Sequence, residues 1–241
     1  MKFISENTNI ATVNDDGEVT GLTEGKTVIV VNKIGTEDYR IAQITVLPTG
    51  VNIEPMAVTN GSHTVVLKAD GSVWAYGVNS SYELGDGTNV SKDTPIKVQF
   101  PDGIVIKQIA VGNTHNVALD MDGNVWGWGA NSNNSLSLIS STPTKLGLSN
   151  IKKIVANNDQ SMALTEDGYV YVWGLNSNGE LGTRTYEAVS VPTQLSYVND
   201  ILDIAIGKNH TLLLTTTGKV LTSGSNVYGQ TAKTYVQSNT C

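Results

Sequence analysis

The sequence predicts an all-β chain of repeated four-stranded units, preceded by a shorter β segment with a different grammar. Three observations carry this reading. One eight-residue phrase occurs four times, as DGSVWAYG (70–77), DGNVWGWG (122–129), DGYVYVWG (167–174) and, more loosely, TGKVLTSG (217–224). Its first glycines are Gly71, Gly123, Gly168 and Gly218, and its last are Gly77, Gly129, Gly174 and Gly224; both sets are spaced by 52, 45 and 50 residues. Within the phrase, small and large side chains alternate with the period of a β-strand.

Each unit supplies four strand signals in order. The second unit shows all of them, as IKQIAVG, NVALDMD, NVWGWGA and TPTKL. The second and third strands are joined through Asp-Gly or Thr-Gly, where glycine accepts the positive φ of a tight turn. The third strand puts Val, then Ala, Gly or Val, then Gly on one face. Trp74/Tyr76, Trp126/Trp128 and Tyr171/Trp173 fall on the other. The large face of one sheet then suits the small face of the next. Four short strands repeating every 45–52 residues predict β-propeller blades. The phrase recurs because no blade can bury both its faces alone.

Around the phrase the register continues. NGSHTVVL, GNTHNVAL, NNDQSMAL and GKNHTLLL lie upstream, and NSSYELG, NSNNSLS, NSNGELG and NVYGQTA lie downstream. Each copy thus approximates GxxHxxALxxDGxVxxWGxNxxGQLG. This pattern resembles the regulator of chromosome condensation repeat family over roughly residues 53–232. The resemblance implies blades of a ring that usually holds seven. Three copies depart from it. Gln160 replaces the histidine in the third, NNSLS stands for GQLG in the second, and Leu221 and Ser223 replace the aromatic pair in the fourth.

Residues 1–48 differ. NTNIATVNDDGEVTGLTEGKTVIVV followed by YRIAQITVLP resembles the C-terminal half of a bacterial immunoglobulin-like group 2 domain. Ile10, Val13, Val19, Leu22, Val28 and Val30 are expected to supply its apolar side. Residues 49–52 read as a linker and 53–241 as an incomplete propeller ring. Both ends look cut, so either the chain is a segment of a longer surface protein or its arc closes by self-association.

Composition narrows the function. The net charge is −7, and the 15 Lys and Arg residues are scattered without a basic stripe. Nucleic acid and anionic membrane surfaces are therefore poor partners. No apolar run reaches membrane-spanning length, so membrane insertion is not expected. MKFISENTNIATV lacks the apolar core of a signal peptide. The single cysteine, Cys241, permits no intrachain disulfide and, with three separated histidines, no Cys/His metal cluster. No cofactor is expected.

The candidate residues read as structural more than chemical. His63, His115 and His210 occupy equivalent positions, which Gln160 interrupts, and the family uses this histidine structurally. Trp74, Tyr76, Trp126, Trp128, Tyr171 and Trp173 read as inter-blade core. Tyr82, Tyr186 and Tyr228 fall in loops and are the expected partner contacts. Asp15-Asp16-Gly17 and Asp120-x-Asp122-Gly123 read as hairpin turns, not calcium loops. Glu83 and Glu180 share a repeat position, which distributes them around a ring instead of pairing them in a cleft.

No nucleophile–base–acid constellation can be assembled, so the expected function is non-enzymatic. The first reading is a binding or adhesion module of a bacterial or phage surface protein, recognising a protein or glycan through propeller loops. It places the chain outside the cell or on its surface, as part of a longer protein. The alternative follows from the resemblance: relatives include a nucleotide-exchange factor for a Ran-type GTPase and a bacterial inhibitor of β-lactamases. A regulator or inhibitor of a partner enzyme is therefore the second reading.

Overall fold

The computed structural model describes residues 1–35, 39–46, 52–130 and 140–232. Cys241 and the NSNNSLS copy at 131–137 lie outside the described residues. The chain divides into two compact units, Met1–Ile53 and Glu54–Cys241. Every regular element among the described residues is a strand.

The first unit contains β1 (Lys2–Ser5), β2 (Ala11–Val13), β3 (Val19–Gly21), β4 (Gly25–Asn32) and β5 (Tyr39–Val46). β4 lies between β1 and β5 in an antiparallel sheet, and β2 pairs with β3 as a separate hairpin. That hairpin turns where Asn14 Oδ1 accepts the backbone N–H groups of Asp16 and Glu18, so Asp15-Asp16-Gly17 is a turn. The expected apolar face is corrected. Ala11, Thr27 and Ile29 are buried, Val28 and Val30 are half-buried, and Val19 and Leu22 are exposed. Along β4, Lys26, Val28, Val30 and Asn32 share one face and Thr27, Ile29 and Val31 the other, so the polar ends of the first set turn it outward.

The second unit is a series of antiparallel meanders. The first blade comprises β6 (Met56–Thr59), β7 (His63–Leu67), β8 (Val73–Gly77) and β9 (Lys92–Lys97). The second comprises β10 (Ile106–Val111), β11 (His115–Asp120), β12 (Val125–Gly129) and β13 (Ser140–Lys145). The third comprises β14 (Ile151–Asn157), β15 (Gln160–Thr165), β16 (Val170–Gly174) and β17 (Val189–Gln194). In the fourth, the described strands are β18 (Ile201–Ile206), β19 (His210–Thr215) and β20 (Val220–Gly224).

The core lies between blades. Val117, Leu119 and Val125 of the second blade pack with Ile154, Ala163 and Trp173 of the third. Met162, Val170 and Val172 of the third pack with Ile204, Leu213 and Leu221 of the fourth. A buried aliphatic side chain contributes about 1.5–3 kcal/mol, against about 1 kcal/mol net for a typical hydrogen bond. These faces therefore dominate blade-to-blade stability, and polar contacts set their register. Trp126, Trp128 and Trp173 are buried; Trp74, Tyr76 and Tyr171 are only half-buried.

The first glycine of the phrase also joins blades. The carbonyls of Gly71, Gly123 and Gly168 accept the N–H groups of Ile106, Ile151 and Ile201, at 3.2, 3.1 and 3.1 Å. Each glycine has φ between 75° and 82°. A Cβ on Gly123 or Gly168 would lie 3.1 or 3.0 Å from the next blade's backbone nitrogen, so turn and close approach both require glycine.

Candidate functional site

In the first two blades the start of the second strand holds a polar latch to the next blade. His63 Nε2 lies 2.8 Å from Asn116 Oδ1, and Asn116 Nδ2 donates to the Glu83 carbonyl at 2.8 Å. The second bond fixes the amide, so Nε2 of His63 carries the proton. His115 Nε2 lies 2.8 Å from Ser161 Oγ. Asn116 and Ser161 each follow the histidine position of their own copy. In the third copy, Gln160 Nε2 donates instead to Glu180 Oε1 at 2.8 Å. His210, in the fourth copy, is half-buried. Among the described residues, no cluster of three or more His, Cys, Asp or Glu could hold a metal ion. The histidines join neighbouring blades pairwise and do not converge.

Burial holds His115 neutral. Desolvation, with a smaller contribution from the nearby His63, pushes its pKa down to about 3, and burial also lowers that of His63. In the unfolded chain an ordinary histidine protonates as the pH falls through about 6.5. The unfolded state then binds the extra proton. The stability contributed by the neutral histidine is full above pH ~6.5 and is lost as the pH falls toward the folded-state value. The slope is about 1.4 kcal/mol per pH unit and per histidine. Asp70, Asp86 and Asp203 have lowered pKa values and titrate further into acid. Denaturant midpoints measured between about pH 6.5 and 4.5 should therefore fall in the wild type and fall less in His115→Gln. An unchanged pH slope in that variant would refute the assignment.

The inner strands are linked at the third position of IKQI, IKKI and ILDI. The Gln108 amide pairs with the next blade's backbone, donating to Ile154 O and accepting from Ile154 N, both at 3.0 Å. Lys153 forms an ion pair with Asp203. Both contacts cross a blade boundary next to an open groove of about 820 Å³ lined by β6, β10, β14 and β18. The lining mixes aliphatic and uncharged polar groups with Lys153, whose charge Asp203 compensates, and it converges no reactive groups.

The loops after the third strands of the first, third and fourth blades are built around an asparagine. Asn79 Oδ1 accepts from Leu84 N at 2.8 Å, and its amide donates to the carbonyls of Thr88 and Val90. Asn176 repeats this with Leu181 N, Thr185 O and Glu187 O. Asn226 Oδ1 accepts from Thr231 N. These asparagines hold the loops closed, and the sequence signalled them, since every downstream copy begins with Asn. Glu83 and Glu180 are buried and cap the same loops through the backbone N–H groups of Ser81 and Asn178. They face no common cleft. Asp120 is likewise committed, accepting from Asn124 N and from Trp126 Nε1 at 2.9 Å.

The three loop tyrosines fall at one end of the blades. Each third strand ends beside the start of the second, as in the pairing of His63 with Gly77, so these loops share an end with the histidine latches. Tyr186 is 57% exposed and Tyr228 92%, with Val227 beside it at 78%. Tyr82 is less open than the other two. It is half-buried, with φ 65°, at the position held by Gly179 (φ 68°) and Gly229 (φ 79°). Its ring stands in a glycine's place, on a backbone that costs a non-glycine residue about 1–2 kcal/mol.

The comparisons with known proteins agree with this geometry. Two family models, both described as the regulator of chromosome condensation (RCC1) repeat, match the chain. One matches residues 70–119 and 167–214, the other 106–135, 151–180 and 201–230. Together they span more than half of the 241 residues. The chain belongs to the regulator of chromosome condensation repeat family. It is 33% identical over 190 residues to the ultraviolet-B receptor UVR8 of Arabidopsis thaliana, covering 75% of this chain and 43% of the receptor. It is 31% identical over 176 residues to the regulator of chromosome condensation of Xenopus laevis, covering 72% of this chain and 31% of that protein. The structure of Prp20p from Saccharomyces cerevisiae superposes with a TM-score of 0.62 at 23% identity, over 84% of this chain and 56% of that one. The chain spans less than half the length of these two curated relatives. Among the described residues no helix is long and apolar enough to cross a membrane.

Proposed function

We propose that this chain is a protein-binding module that presents its ligand site on the loop end of the blades. The observation that carries the reading is where the aromatics go. Trp126, Trp128 and Trp173 are consumed by the inter-blade core, whereas Tyr186 and Tyr228 stand exposed on loops closed by the buried Asn176 and the exposed Asn226. A rigid scaffold with exposed loop tyrosines suits recognition, because a tyrosine offers a large contact area at small entropic cost. The relatives support a binding role: Prp20p is described by its binding to Gsp1p and histones. The finer reading, an adhesion module of a bacterial or phage surface protein, rests on the immunoglobulin-like grammar of residues 1–48. In that reading the first unit is a spacer and the propeller repeats are the platform, outside the cell.

The test is a comparison of the wild type with a Tyr186→Ser/Tyr228→Ser double variant, on a protein array and on a glycan array. Both side chains are exposed, so the variant's unfolding midpoint should match the wild type within about 0.5 kcal/mol. A protein ligand bound at least tenfold more weakly by the variant supports the reading. Ligand binding that survives both substitutions overturns it, and binding only to glycans replaces the protein ligand with a sugar.

A further inference from the structure

In the first three blades the fourth strand, β9, β13 or β17, is the last of its sheet, and among the described residues no strand pairs with its far side. Each of these edges carries one proline, Pro95, Pro143 or Pro192. Hydrogen bonds show which way the prolines face. Val98, Leu146 and Leu195 donate their N–H groups to the carbonyls of Val73, Val125 and Val170 in the third strands, at 2.9 Å each. In an antiparallel ladder the inward-facing backbone recurs at every second residue. Ile96, Thr144 and Thr193 therefore also face the third strand, and the prolines before them face outward. A proline there removes no hydrogen bond from its own sheet. It removes the N–H that a strand arriving from outside would need.

The ladder also breaks at the same place in all three blades. Ala75 pairs with Ile96 and Gly77 with Lys92, so residues 93–95 stand opposite Tyr76 alone. Residues 141–143 likewise stand opposite Trp128, and 190–192 opposite Trp173. Each proline closes such a bulge, which bends the edge out of a straight pairing line. In two blades the carbonyl before the proline is taken as well. Thr142 O accepts from Ser140 Oγ at 2.6 Å, and Val191 O from Thr193 Oγ1 at 2.9 Å. Charge adds a further obstacle, but unevenly. β9 carries Lys92, Asp93 and Lys97, and β13 carries Lys145. β17, VSVPTQ, carries no charge and leaves Val191 55% exposed.

We infer that Pro95, Pro143 and Pro192 keep the outer edges of the blades from pairing with the edges of other copies, and that Pro192 does most where charge does least, at the third blade. Proline is depleted in strands. Its recurrence in the strand with an open side, at an outward nitrogen in every copy, points to what it denies the outside. The pairing it prevents is β17 against β17 of a second copy, antiparallel and two-fold, so that both copies regain a donor once Pro192 is replaced. The inference is independent of the ligand site, since it concerns the fourth strands and not the exposed loop tyrosines.

The experiment is sedimentation of the full chain with reductant, across a concentration series, with the wild type as the baseline at each concentration. Threonine restores the N–H and suits a strand. Pro192→Thr should strengthen association about tenfold or more, because a two-fold edge pair regains two hydrogen bonds. Pro95→Thr should strengthen it less, since that edge keeps Lys92 and Lys97. Adding Gln194→Lys to Pro192→Thr should reverse the gain, because it sets like charges across the pair. Hydrogen exchange of the associated Pro192→Thr chain should show the new amide at 192 protected. Leu195→Ala is the control for association that follows unfolding: it removes a buried side chain next to the same strand and supplies no N–H. Pro192→Ser repeats the test should the threonine variant fail to melt cooperatively. A Pro192→Thr chain that sediments as the wild type at every concentration overturns the inference. So does association that Gln194→Lys leaves unchanged, or that Leu195→Ala reproduces in full.

Discussion

Trp128→Ala is expected to destabilise the propeller unit by about 4 kcal/mol, the middle of the range for truncating a buried large aromatic. Trp128 is fully buried, and its Nε1 donates to the Glu83 carbonyl of the preceding blade at 2.9 Å. Its indole meets the edge of Phe100, with ring centroids 5.6 Å apart. Gly85 of the first blade faces the same ring so closely that a Cβ there would lie 2.9 Å from Trp128 Cδ1. The truncation therefore opens a cavity at a blade boundary, where backbone from two sheets resists collapse, and it removes one of the two hydrogen bonds that the Glu83 carbonyl accepts, leaving that from Asn116 Nδ2. Trp74→Ala is the control. That ring is half-buried and carries the Lys68 ammonium 3.8 Å from its centroid, so its loss should cost about 1–2 kcal/mol. Urea midpoints at a common m-value measure both, and equal costs would show that the boundary is not where the unit's stability resides.

Much of the architecture was legible in the sequence because the repeat imposes two independent constraints. Fixed glycine spacing locates the turns, and small–large alternation tells which side of each third strand meets a neighbour. Val117, Leu119, Val125, Ala163 and Trp173 then pack as the alternation requires. The phase of β4 was legible only from its ends: Lys26 and Asn32 share the face of Val28 and Val30 and mark it as the outer one, whereas Thr27 lies on the buried face.

Contacts between blades were legible only in part. The repeated histidine pointed to a structural role, but its partner, Asn116 or Ser161, is a different residue in each copy and lies 53 or 46 positions away, respectively. Gln108 and Lys153 were invisible for the same reason: they share a position but use different chemistry, one an amide paired to backbone and the other an ion pair. The loop end was partly legible. Tyr186 and Tyr228 are exposed as expected. Tyr82 is half-buried on left-handed backbone, at the position that Gly179 and Gly229 hold in their copies. A residue aligned with two glycines inherits their backbone before it expresses its own side chain.

The last glycine of the phrase supports the second large prediction. Gly77, Gly129, Gly174 and Gly224 have φ of 111°, 105°, 110° and 104°. That region lies beyond the left-handed helical well and is closed to L-residues with a side chain. At Gly174 the third strand pairs with Gln160, and its register with β17 shifts between Val172 and Gly174. A Cβ there would run into the Asp159 carbonyl oxygen and lie 2.9 Å from Gln160 Cα. Both obstacles are backbone of the neighbouring strand, so no rotamer change relieves them. Gly174→Ala should therefore cost about 3 kcal/mol or more, the strain of the forbidden φ added to a displaced strand pair. Gly218→Ala separates the two contributions. It has φ 82° and open space where the Cβ would go, so it bears conformational strain alone, about 1–2 kcal/mol. Equilibrium unfolding of the two variants decides the point. If Gly174→Ala costs no more than Gly218→Ala, the close approach of β15 and β16 is not what confines this position to glycine.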